Sequence, residues 1–285
     1  MDIIKIAIVQ TSCSSNVQHN MQKSAEYTVQ AAKAGANIIC HQEMYRSVYF
    51  CQGQDYERFA LAEKTDGESF QLFSPIAKAH KCVLIVPIFE KLMDGLYFNT
   101  NLIIGTDGSL SGIYRKMHIP QDPGFDEKFY FAPGDLGFKT FDTPYGKIGT
   151  LICWDQWYPE AARITALMGA QIIFYPTAIG WDSKEPKAMQ AGQLDAWRTI
   201  QRSHAIANGC YVCAANRVGT EQDLTFWGNG FIADPMGKML LTSDAKSEQY
   251  LMNEVDMRAV NDTRVRWPFF RDRRVDAYGH ILQRG

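Results

Sequence analysis

The segment Leu151–Arg163, LICWDQWYPEAAR, places a cysteine between an apolar run and two tryptophans and follows it with Pro-Glu and an alanine-rich stretch. KIGTLIC reads as a buried strand, and PEAARITALMGA as a helix that admits Pro159 in its first turn. Cys153 therefore sits on a strand-to-helix turn, which points a side chain outward and leaves nearby backbone N–H groups free, as a nucleophile elbow does. Glu43 and Lys116 also end predicted strands, and strand ends on one sheet edge can converge however far apart they lie in sequence. A thiol needs a base, and acyl transfer needs a cation or N–H donors aimed at the oxyanion. Glu43 can be that base, and Lys116 with the N–H of Trp154 can be the donors, a set suited to covalent hydrolysis of a C–N bond.

The elements that must position these residues follow from periodicity. KIAIVQ reads as a first strand, and a helix from about Asn16 to Ala34 repeats Val17, Met21, Ala25, Thr28 and Ala32 after a Ser-Ser-Asn cap. The strand NIICHQ delivers Glu43, and a shorter helix through Ile76 leads to the strand CVLIVPIFE. YFNTNLIIGTDGSLSGIYRK reads as a hairpin turning at Asp107-Gly108, its second arm closing on Lys116. FKTFDTPYGKIGTLICW is another, turning at Tyr145-Gly146 and ending at Cys153. Beyond the elbow helix come QIIFYPT, a long helix from about Glu185 to Asn208, YVCAANRV, and the last strands NGFIADPMG, KMLLTS and YLMNEVDM. Alternation without a low-complexity linker indicates one α/β domain over 1–257 and a C-terminal extension over 258–285.

A chain of 285 residues buries on the order of 75% of its unfolded surface and needs no staples. Its 29 basic and 31 acidic residues leave a net charge of −2, so no overall field recruits nucleic acid or an anionic membrane, and the expected partner is a small molecule. Seven cysteines are an odd number, and MDIIKIAIVQTS has no signal-peptide apolar core, which together imply a reducing cytoplasm. No apolar run approaches the length of a membrane span. Cys210-Tyr-Val-Cys213 has a redox or metal spacing, but it lies inside an apolar strand and lacks a second ligand pair, so it reads as buried small hydrophobes and no metal is expected. The extension sets arginines around Trp267-Pro268-Phe269-Phe270 with Asp262, Asp272 and Asp276 interspersed, a mixture that favours a subunit contact over a nucleic-acid arm.

Taken singly, a strand-end glutamate or lysine is usually solvated and a cysteine is usually a core residue. The local contexts are more specific. HQEMY, YRKMHIP, FYFAPGD and LICWDQWYPEAAR, in this order, resemble the carbon–nitrogen hydrolase (nitrilase) superfamily, and the resemblance covers essentially the whole chain. It implies a Glu43, Lys116 and Cys153 triad, a second glutamate at Glu127 in FDEKFYF, no cofactor, a four-layer α-β-β-α sandwich, and a homodimer or larger homo-oligomer built across helices that include the one after the elbow. His118 beside Cys153 would instead suggest a papain-like pair, but RKMHIP fits a structural histidine next to the lysine; His204, on the Leu194, Trp197 and Ile200 face of the long helix, reads as a core histidine.

Family members acting on carbamoylated amino acids place an arginine just after the nucleophile to clamp a carboxylate, whereas here Trp154, Asp155, Gln156 and Trp157 follow it. CWDQWYPE and YFCQGQD resemble the members that hydrolyse N-carbamoylputrescine, a carbamoylated amine ending in an ammonium group. Such a tail calls for aromatic walls and a carboxylate, which AIGWDSKEP supplies in Trp181, Asp182 and Glu185, with Tyr49 as a further wall; the alternative is a solvated loop. The other readings are a general short-chain amidase or nitrilase with the same triad, and an inactive ligand-binding or scaffold protein, against which the complete set of four residues argues.

Overall fold

In the strand Ile3–Gln10 (β1), Ile4, Ile6 and Ile8 enter one hydrophobic cluster while Ala7 and Val9 enter another. This is the period-2 pattern of a strand buried on both faces, and it fixes the layering. The computed structural model describes residues 2–284. A first six-stranded sheet contains β1, β2 (Ile38–Cys40), β3 (Val83–Met93), β4 (Leu96–Ile104), β5 (Leu110–Arg115) and β15 (Gln249–Asp256), in the order β15-β1-β2-β3-β4-β5. A second contains β6 (Thr140–Thr143), β7 (Gly146–Thr150), β8 (Ile172–Pro176), β10 (Tyr211–Ala215), β13 (Phe231–Ala233) and β14 (Met239–Thr242), in the order β14-β13-β10-β8-β7-β6.

The sheets share a core that includes Ile6, Ile8, Ile85, Ile103, Ile148, Ile173, Val212 and Phe231. Helices α1 (Val17–Lys33) and α2 (Glu68–His80) pack with Val9, Ile39, Leu84 and Val86 on the outer face of the first sheet. Helices α3 (Pro159–Leu167) and α4 (Lys187–Asn208) cover the second. The result is the expected α-β-β-α sandwich. Among the described residues, no helix is long and apolar enough to cross a membrane.

Three details differ from the reading of the sequence. β2 stops at Cys40 because the side chain of Gln42 takes over the ladder, accepting from Thr11 N–H at 2.6 Å and donating to Thr11 C=O at 2.8 Å. β3 runs on to Met93 and turns through Gly95 (φ 81°) into β4, making a hairpin longer than the apolar run alone indicates. A third, three-stranded sheet joins β9 (Gly180–Asp182), β11 (Val218–Glu221) and β12 (Leu224–Trp227). β9 (GWD) and β11 (VGTE) are short and glycine-bearing and β12 (LTFW) is only four residues long, so none carries a local strand pattern. The C-terminal helix α5 (Arg258–Arg266) buries Val260 in the main core, and Phe270 lies 5.3 Å from the Arg163 guanidinium and 5.0 Å from that of Arg264. His204 is 2% exposed, bonds Tyr175 Oη at 3.0 Å, and has its pKa lowered to about 4 by burial, as a core histidine should. Cys210 and Cys213 are free, buried thiols.

Candidate active site

β2 and β5 run in the same direction within the first sheet, so the residues just past their C-terminal ends, Glu43 and Lys116, emerge at one edge. The end of β7 brings the Cys153 turn to the same place from the second sheet. Two of these three junctions are conformationally strained: Met44, directly after Glu43, has φ 51° and Cys153 has φ 42°. Non-glycine residues hold such angles only where surrounding structure imposes them, often at functional sites. Two glycines permit the close packing behind the site. A Cβ on Gly149 would stand 2.2 Å from Thr165 Cγ2 on α3, and one on Gly134, in the APGD motif, would stand 2.3 Å from the Arg115 carbonyl oxygen beside Lys116.

Lys116 Nζ donates to Glu43 Oε1 at 2.9 Å and to Glu127 Oε2 at 2.6 Å, and all three side chains are fully buried. Asn99 Nδ2 donates to the same Glu43 Oε1 at 2.7 Å, and Glu43 Oε2 has no hydrogen-bond partner among the described residues. A buried carboxylate oxygen with a free lone pair is poised to take a proton. Burial lowers the affinity of Lys116 for its proton, but Glu127 and Glu43 outweigh it and hold the ammonium well above its ordinary pKa. Glu127 is raised to about 7 by burial, against the attraction of Lys116 and with the repulsion of Glu43. Burial also pushes the Cys153 thiol up and Glu43 adds to this, while Lys116 opposes it. The nucleophile therefore rests as a thiol and needs the base beside it.

Asp155 holds the elbow. Its buried carboxylate accepts from Tyr114 Oη at 2.7 Å, Ile152 N at 2.9 Å, His118 N at 3.0 Å and His118 Nδ1 at 2.7 Å, tying the turn to the strand that carries Lys116. The His118 ring stacks on Tyr158 with centroids 3.7 Å apart, so this histidine is a structural partner of Asp155, as its context indicated. Asp155→Asn should lose about 3 kcal/mol of stability, since an amide nitrogen cannot accept from the donors left facing it. Urea unfolding checks this; an unchanged midpoint would mean the four bonds do not brace the turn. Gln156 anchors the turn's next residue, its Oε1 accepting from Trp197 Nε1 at 2.8 Å and Thr177 Oγ1 at 3.1 Å.

A cavity of about 590 Å³ opens on Cys153. Trp154, Trp157, Phe125, Ile179 and Trp227 give it apolar walls, and Asp122, Asp182 and Glu185 give it three carboxyl groups. Gln193 Nε2 donates to both oxygens of Glu185 at 2.9 Å, fixing that carboxylate. Among the described residues, no lysine or arginine encloses this cavity. Two expected wall residues stand elsewhere. Trp181 is behind the wall, its ring 5.4 Å from Trp227 and its Nε1 donating to the Gln190 carbonyl at 2.8 Å. Tyr49 is turned from the cavity because its hydroxyl is drawn to Glu127 Oε1, at 2.8 Å. Asn99, Asp122 and Gln193 escape sequence reasoning, since each is a common polar residue whose significance comes only from what the fold sets opposite it.

A family model described as carbon-nitrogen hydrolase matches residues 5–265. The chain is 40% identical over 288 residues to an N-carbamoylputrescine amidase of Oryza sativa subsp. japonica, covering 98% of this chain and 94% of that protein. It is also 40% identical over 286 residues to a citrullinase of Francisella tularensis, covering 99% of each. The crystal structure of a carbon-nitrogen hydrolase from Helicobacter pylori G27 superimposes with a TM-score of 0.95 at 42% identity, over 99% of both chains. With a family model matching most of its length, relatives 40% identical over nearly the whole chain and the same fold, the chain belongs to the carbon–nitrogen hydrolase family and is a hydrolase of carbon–nitrogen bonds.

Proposed function

We propose that the chain hydrolyses N-carbamoylputrescine to putrescine, carbon dioxide and ammonia, with Glu43, Lys116, Cys153 and Glu127 as its catalytic residues. Cys153 Sγ bonds to the ureido carbon as Glu43 Oε2 takes the thiol proton. The carbonyl electron pair moves to oxygen, where Lys116 Nζ and the N–H of Trp154 hold it; the first N–H groups of a helical turn have no acceptor within the turn and are free for this. The C–N bond to the diamine then breaks as Glu43 returns its proton to the leaving nitrogen. Water adds to the carbamoyl thioester with Glu43 taking its proton, the C–S bond breaks as Glu43 returns that proton to Cys153 Sγ, and carbamic acid leaves to give carbon dioxide and ammonia.

The observation that carries the substrate choice is the cavity beside Cys153, with three carboxyl groups, aromatic walls and no basic side chain enclosing it. A terminal ammonium is attracted there, and a terminal carboxylate is repelled without a compensating donor. The citrullinase relative favours a second reading, a ureido amino acid. Its α-ammonium could meet the same acids, but its carboxylate would lie unpaired. Ammonia release from N-carbamoylputrescine, citrulline, N-carbamoyl-β-alanine, a carbamoylated alkylamine and short amides separates these readings. The diamine derivative should lead in kcat/KM, and loss of its ammonium should cost about 2–5 kcal/mol. Equal rates on all would favour a general amidase, no ammonia from any a binding protein, and preference for citrulline the second reading.

The same proposal places the enzyme in the cytoplasm as a homo-oligomer. Exposed Ile164 and Leu167 on α3 and Met168 just after it, with Trp267, Phe269 and Leu282 in the C-terminal segment, supply apolar surface for a subunit contact.

A further inference from the structure

We propose that Arg217, Glu221 and Tyr49 form a positioning relay that holds the Glu127 carboxylate ionised and seated on Lys116. The inference rests on the catalytic role given above to Glu127, and extends it to residues that touch neither the cavity nor the nucleophile.

The relay starts on the small third sheet. Arg217, next to β11, is fully buried; its Nη2 donates to the Ser47 carbonyl at 3.1 Å and to Glu221 Oε1, whereas its Nε and Nη1 have no partner among the described residues. Burying a guanidinium with two unsatisfied nitrogens is costly, and an apolar residue of similar size would commonly serve stability better. What the ion pair achieves lies one step further on. Glu221 Oε2 accepts the backbone N–H of Tyr49 at 2.5 Å. The Arg217 guanidinium also sits 4.7 Å from the Phe226 ring centroid, and Phe226 packs edge-on against the Tyr49 ring at 5.8 Å. Tyr49 is thus gripped through its backbone and through its ring, and its hydroxyl donates to Glu127 Oε1 at 2.8 Å.

The charge balance gives that last bond its importance. Glu127 faces Lys116 and Glu43 from two strand ends, Cys153 from the elbow, Tyr49 and Cys51 from the strap after Glu43, and Asp126 on its own turn. Lys116 is the cation in this group, and Glu43 shares it, so the carboxylate form of Glu127 depends on its second donor. A hydroxyl donor to one oxygen favours the charged form, and holding the donor rigidly removes the entropy cost of forming the bond. A plain structural staple would predict none of this dependence.

Tyr49→Phe keeps the ring and deletes the donor. Its absence raises the Glu127 pKa, so the acid limb of kcat/KM should move to higher pH by about one unit, with activity recovering as pH is raised. Glu221→Gln frees the Tyr49 backbone and should move the limb the same way by a smaller amount. The pH profile of Cys153 alkylation by iodoacetamide, read at that residue by peptide mass, should show the same displacement without depending on the choice of substrate. Glu127→Gln identifies the limb, which should vanish. A limb that persists in Glu127→Gln overturns the role of Glu127 and the relay with it. A limb lost in Glu127→Gln but unmoved in Tyr49→Phe overturns the relay alone, as does a Glu221→Gln variant that loses thermal stability while keeping the parental limb.

Discussion

Cys153→Ala is expected to abolish ammonia release, by more than about 10⁴-fold in kcat, while the protein retains its fold. The two halves of this result have separate causes. The thiol forms the covalent bond, and no other cysteine is at the mouth of the cavity, so nothing replaces it. Yet the turn is held by Asp155, Gln156 and the packing of α3 at Gly149, none of which involves the sulfur. Loss of one buried sulfur atom leaves a void of methyl-group size, costing about 1 kcal/mol. Turnover assays and urea unfolding check both halves. A slow variant that retains Cys153 should show the mass of a carbamoyl adduct after mixing with substrate, and Cys153→Ala should not. An active alanine variant would sink the covalent mechanism.

The contrast between residues that were legible in the sequence and those that were not is physical. The strands leading to Glu43 and Cys153 are legible from their apolar runs, whereas the half-exposed edge strand leading to Lys116 is legible from the Asp107-Gly108 turn of its hairpin, and in each case the residue that ends the strand is placed by the sheet. Alternation of strand and helix gave the class of fold, whereas the stacking of two sheets came from resemblance, because no local signal says which sheet faces which. Glu127 also came from resemblance; it sits in a short helical turn within a loop, and only its hydrogen bonds to Lys116 and Tyr49 distinguish it from a solvated acid. The third sheet was missed because its strands pair over long range while their own residues read as loop. Tyr49 shows the limit most clearly. Its type suits either a substrate wall or a hydrogen-bond donor, and the ion pair at Glu221 that selects the second role lies far away in sequence.

Lys116→Met is expected to lower kcat by about 10²–10³ or more and to change how stability depends on pH. The catalytic loss follows from removal of an oxyanion donor and of the one charge that opposes the upward shift of the Cys153 thiol. The stability effect follows from what remains. Glu43 and Glu127 share Nζ at 2.9 and 2.6 Å, and without it two fully buried carboxylates face each other with no cation between them. They cannot both stay ionised, so the pair holds a proton in the folded state and the Glu127 pKa rises further above its unfolded value. Glu127 is already raised from 4.5 to about 7 in the parent. When the folded state binds more protons than the unfolded state, stability falls as pH rises. The variant should therefore be least impaired near pH 5, where a proton can occupy the pair, and lose ground steadily toward pH 8, with a steeper slope than the parent. Urea midpoints across this range, together with kcat, test the claim. A parental rate would mean that Lys116 is not the oxyanion donor, and a pH slope equal to the parent's would mean that the two carboxylates do not depend on it for their charge.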